Sequence, residues 1–123
     1  MERWFELARG TLQWRPMHVI WLALCEATVL LADGEPAAAK AVLDRPADDL
    51  EAWRSTQLAM TAEACVAMGD PTADACIAAA LTAVDGDRYS RAILLRASGA
   101  TSEASQLFAS LPCPWQADRC LSR

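Results

Sequence analysis

The chain has 123 residues, 54% of them hydrophobic, and sets eleven basic against sixteen acidic residues for a formal net charge of −5. That length suits one domain, which buries roughly two-thirds of the surface its unfolded chain exposes. The acidic balance argues against nucleic acid and anionic membranes as partners, and abundant Ala with two Phe and one Tyr favours helices over strands.

Taken in chain order, residues 2–12 read as a short amphipathic helix through Trp4, Phe5, Leu7, Ala8 and Leu12. Arg15-Pro16 then starts a long helix, because a proline in the first turn lacks an N–H that would be unpaired anyway. It runs through His18, Cys25 and Glu26 to Asp33-Gly34, and its apolar character nearly all round predicts contacts on more than one side. Its longest apolar run, from Val19 to Ala32, contains Glu26 and falls short of the ~20 apolar residues that a membrane span needs. The opening MERWFELARG is charged throughout and lacks the features of a secretory signal, so a cytoplasmic setting is expected.

Glu35-Pro36 restarts a helix that carries Ala39, Val42 and Leu43 up to Arg45-Pro46. Asp48 or Asp49 can cap the next, which runs through Trp53, Leu58, Ala62, Cys65 and Val66 to Gly69. Asp70-Pro71 repeats the stop and restart, and the following arm from Thr72 reaches about Val84, before Asp85-Gly86-Asp87. Further helices span Arg88 to Ser98 and Thr101 to Leu111, Gly99 separating them, and Pro114 opens a last one. The expected class is all-α, with about six to eight helices in a single domain over 1–123.

Gly34, Gly69 and Gly99 share a register. Seven positions before each stands alanine: Ala27, Ala62 and Ala92; four before stand Leu30, Cys65 and Leu95. Five after stand Ala39, Asp74 and Ala104, and nine after stand Leu43, Ala78 and Phe108. The alanine admits a close helix crossing, the residue four before the glycine fills the interface, and the glycine takes up the left-handed turn. Units of this kind bury little alone and must stack.

With glycines 35 and then 30 residues apart, the chain resembles the tetratricopeptide-repeat family over roughly Pro16 to Pro112. The resemblance implies antiparallel helical hairpins stacked as a short right-handed solenoid, with repeats at 16–46, 48–84 and 87–112 and flanking helices at 2–12 and 114–122. Asp74 and Pro46 depart from the family pattern, and an alanine-rich helical bundle is the competing architecture. Leu95, Arg96, Ala97, Gly99, Leu107, Phe108, Leu111, Pro112, Trp115 and Arg119 are similar to the closing repeats of large bacterial LuxR-type transcriptional regulators. There the repeats receive an inducer or partner and relay its presence to ATPase and DNA-binding modules. Neither a G-x-x-x-x-G-K-[ST] phosphate loop nor a basic helix-turn-helix stands in this sequence.

The resemblance places Trp21, Thr28, Glu63, Tyr89, Ile93 and Arg96 along a concave inner surface as partner-binding residues. Their mixture of aromatic, carboxylate and guanidinium groups suits a protein or peptide segment. Glu26 and Glu63 lie in apolar helices, where an unpartnered carboxylate is costly, and Arg54, Arg91 and Arg96 are their candidate partners.

His18 is the one histidine, and Cys25 lies about two turns away along the helix, beyond hydrogen-bond reach, so no nucleophile–base pair forms between them. No catalytic residue, metal site or cofactor motif is expected, and the chain reads as a non-enzyme. The five cysteines, without a Cys-x-x-Cys pair, read mainly as small core residues, with a Cys113–Cys120 bridge as the minority reading. The leading functional expectation is a protein-interaction module, with a small-molecule sensor and a self-associating structural module as alternatives.

Overall fold

A computed structural model describes residues 16–44, 51–111 and 113–121 of the chain. All regular structure among them is helical: α1 (Pro16–Ala32), α2 (Pro36–Leu43), α3 (Glu51–Met68), α4 (Ala73–Ala83), α5 (Arg88–Ala97), α6 (Thr101–Ser110) and α7 (Pro114–Leu121). The all-α expectation therefore holds for the described residues. The helix expected at 2–12, Trp4, Trp14, Pro46, Pro112 and the caps Asp48 and Asp49 lie outside them.

Why the helices stop where they do is visible in three turns of one design. Glu35 N–H donates to the Leu30 carbonyl at 2.9 Å, Asp70 to Cys65 at 3.0 Å, and Ala100 to Leu95 at 2.9 Å. In each, the preceding glycine donates to the carbonyl three residues back, at 3.3, 3.1 and 3.1 Å. The long bond closes over carbonyls that the helix end leaves unpaired, and it requires a left-handed residue between. Gly34 (φ 76°) and Gly69 (φ 65°) supply it. Gly86 stands in a different turn, where Asp87 N–H reaches the Val84 carbonyl at 2.9 Å, so this glycine links α4 to α5 without copying the repeated motif.

Contacts stay local in sequence. Each helix packs on the next, and α3 also lies against both α1 and α5, while α4 and α5 touch only sparingly. At the crossings Ala27, Ala62 and Ala92 are fully buried, as a close approach of backbones demands. Among the described residues, Phe108, Met60 and Ile93 are the largest side chains withdrawn from solvent. The shared register continues into the second arms of the first and third copies, where Ala39, Leu43, Ala104 and Phe108 are buried.

The middle copy departs from it. Asp74 and Ala78 face solvent, and Ala80 is the one buried residue of α4. A carboxylate at the position taken elsewhere by a buried alanine turns that face outward, since burial without a partner would cost several kcal/mol. Asp70 accepts from the Thr72 backbone N–H at 2.8 Å and from its hydroxyl at 2.6 Å, which tightens the approach to α4.

The contrast sets a test. Ala104→Leu should lower stability by about 1–3 kcal/mol through overpacking, while Asp74→Leu at the matching position should change it by less than ~1 kcal/mol. Urea unfolding followed by circular dichroism measures both; equal losses would show that α4 is packed like α6.

Candidate functional site

Glu63 and Arg96 come from facing helices, α3 and α5, and both are almost completely buried, at 2% and 4% exposure. Arg96 Nε donates to Glu63 Oε2 at 2.5 Å and Nη2 donates to Oε1 at 2.9 Å, a two-pronged fork. Its third nitrogen, Nη1, donates to Gln116 Oε1 at 2.7 Å from α7. Gln116 Nε2 in turn donates to the Tyr89 hydroxyl at 2.9 Å, and Arg119 Nη1 donates to the same Gln116 oxygen at 2.9 Å. The guanidinium lies 5.2 Å from the Phe108 ring centre, and Tyr89 meets that ring edge-on at 5.6 Å.

Burial disfavours the Arg96 cation, but the Glu63 hydrogen bonds and charge outweigh it and hold its pKa above the ordinary value. Burial likewise pushes the Tyr89 hydroxyl up, against the lowering effect of its bond from Gln116. Because the guanidinium is spent on Glu63, Gln116 and Phe108, the cluster acts as a junction that fixes α3, α5, α6 and α7 relative to one another.

A second polar cluster joins α3 to the start of α5. Asp87 caps α5 by accepting from Ser90 N–H at 3.1 Å, and its other oxygen accepts from the hydroxyls of Ser55 at 2.5 Å and Ser90 at 2.6 Å. Thr56 and Ser90 hydroxyls bond at 2.8 Å. Burial raises the Asp87 carboxyl, yet these hydrogen bonds more than compensate and hold it below the usual carboxylate range.

The six residues expected on one inner surface are thus distributed between core and exterior. Glu63, Ile93 and Arg96 are buried, Tyr89 is half-buried against Phe108, and Thr28 bonds the Leu24 carbonyl at 2.8 Å from a half-buried position. Trp21 stands apart on α1 at 48% exposure. Of the three arginines open as partners for Glu63, the structure selects Arg96. The Cys113–Cys120 bridge does not form: both thiols are free, and each bonds a nearby backbone carbonyl, of Leu111 and Gln116.

Sequence reasoning missed Gln116, Ser55, Ser90 and the capping role of Asp87. An aspartate just before the apolar run of α5 is an N-cap residue type that could have shown the last of these. It also missed a groove of about 540 Å³ beside the sparse α4–α5 contact, lined by Leu81, Val84, Leu94 and Leu95 with Asp85 and Arg91. Among the described residues no group of three or more metal-ligating side chains gathers, and no helix is long and apolar enough to cross a membrane. No protein-family model, curated protein or solved structure matches the chain.

Two outcomes follow from the clusters. Arg96→Met alone strands the Glu63 carboxylate and should cost about 3–5 kcal/mol in chemical unfolding, whereas Glu63→Leu with Arg96→Met should recover most of it. A lowered folded pKa at Asp87 means its stabilisation is complete above the unfolded value near 3.8 and is lost as pH falls through the lower folded value. Melting temperature against pH should therefore drop less steeply below about pH 4 in Asp87→Asn than in the parent.

Proposed function

We propose that the chain is a tetratricopeptide-like helical-repeat module that binds a protein segment. The observation that carries the reading is the repetition of one glycine-closed turn at Gly34, Gly69 and Gly99, each preceded by a fully buried alanine. Polar ties between consecutive first helices support it: Thr28 to Met60, Ser55 to Asp87, Thr56 to Ser90 and Glu63 to Arg96 are 32, 32, 34 and 33 residues apart. That spacing, with contacts restricted to near neighbours in sequence, is what antiparallel hairpins stacked in a right-handed solenoid produce. Solenoids of this kind present extended surfaces and work chiefly by binding.

Of the residues assigned to the partner surface, Trp21 carries the affinity, being a large exposed indole on the first stacked helix. Glu63, Ile93 and Arg96 hold the scaffold beneath it. The module serves as the sensor or relay part of a bacterial transcriptional regulator, a reading that rests on the likeness of the Leu95–Arg119 passage to LuxR-type repeat regions. A small-molecule sensor is the second reading, favoured by the α4–α5 groove with Arg91 beside apolar walls.

Trp21→Ala should reduce capture of the cognate protein from host lysate by about tenfold or more while leaving helical circular dichroism unchanged. Undiminished capture would remove Trp21 from the interface. Retention of no protein, together with a thermal shift on addition of an amphipathic acid that is abolished by Arg91→Ala, would favour the groove instead.

A further inference from the structure

The α4 helix packs along α3 but is the most exposed of the second arms, burying one residue where α2 buries Ala39, Val42 and Leu43 and α6 buries Ala104 and Phe108. At its first turns, Cys76 Sγ lies 3.5 Å from Cys65 Sγ on α3. Both thiols are free, Cys65 fully enclosed and Cys76 half-exposed. In the other two copies the position of Cys65 holds Leu30 and Leu95, so the middle copy puts a thiol where its neighbours use a larger apolar side chain. A disulfide needs its sulfurs at ~2.05 Å, a closure of roughly 1.5 Å from their present separation.

We infer that Cys65 and Cys76 form a reversible disulfide that fastens α4 to α3 in the presence of hydroperoxide. The Cys76 sulfur, reachable from solvent, attacks the peroxide oxygen; the O–O bond breaks, Cys76 becomes a sulfenic acid and one water leaves. Cys65 sulfur then attacks the Cys76 sulfur, the S–O bond breaks, and the departing hydroxide takes the thiol proton as a second water. Two thiols are oxidised and one hydrogen peroxide is reduced to two waters. A cellular dithiol reverses the bond by exchange, so the reduced form persists in an ordinary cytosol.

Enclosure, and then the neighbouring Cys76, push the Cys65 thiol up to about 11; Asp70 adds to the rise and Lys40 opposes it. Cys65, the enclosed sulfur, is the second group to react, after the solvent-reachable Cys76. The bond would close a short loop across Asp70-Pro71 and restrict the helix that borders the α4–α5 groove.

The test treats the full reduced chain with a slight excess of hydrogen peroxide. Peptide mapping should find a Cys65–Cys76 link, a mass lower by two hydrogens, and full reversal by dithiothreitol. The melting temperature should rise on the order of 5–10 °C on oxidation, with slower amide exchange in α4, and Cys76→Ser should show neither change. Cys65→Ser should instead accumulate a Cys76 sulfenic acid that dimedone traps. Links that involve Cys25, Cys113 or Cys120 in place of this pair, over-oxidation of Cys76 without a link, or an equal thermal gain in Cys76→Ser would each overturn the inference.

Discussion

The arrangement of the described helices is constrained by one desolvated cation that must stay paired. Arg96 is held by two oxygens of Glu63, one of Gln116 and the face of Phe108, which brings residues from four helices to one point. Removing a guanidinium and a carboxylate from water costs several kcal/mol each, and only such complete pairing repays it. Any arrangement of α3, α5 and α7 that separates the partners leaves a buried charge behind. The pair therefore discriminates among packings that alanine contacts alone, being small and smooth, would leave close in energy.

Around that point the helices are set by backbone closure. Three turns use the same pair of hydrogen bonds, so the angle between first and second arms is fixed three times by the same local geometry. Buried alanines then set how closely the arms and their neighbours approach. The copies differ in the second arms, where Leu43 and Phe108 fill space and Ala78 does not, and in the first arms, where Cys65 replaces leucine.

Much of this was legible from residues with strong local rules. Pro16, Gly34, Pro36, Gly69, Gly99 and Pro114 marked helix ends to within a residue or two, because proline and glycine act on their own backbone. Asp74 announced the irregular copy by charge alone. Gln116 was not legible, since an amide on a short terminal helix gains its role only from the Arg96 and Tyr89 groups that tertiary packing brings to it. The placement of Glu63 and Arg96 on a groove failed to foresee that α7 supplies a covering partner. Cys65 and Cys76 could have been found by noticing that they are equidistant from the Asp70-Pro71 turn, a count that the search for Cys-x-x-Cys spacing passes over.

The ion pair also bears on how the chain is made. Glu63 leaves the ribosome 33 residues before Arg96, and Gln116 follows another 20 residues later. The neighbouring helices α1 to α4 can begin packing as they emerge, since their contacts are local. Yet α3 carries the Glu63 carboxylate without its partner through that interval, and water must solvate it until α5 arrives. Synthesis thus keeps the inner face of α3 open until α5 and α7, which follow it in the chain, arrive to shut it.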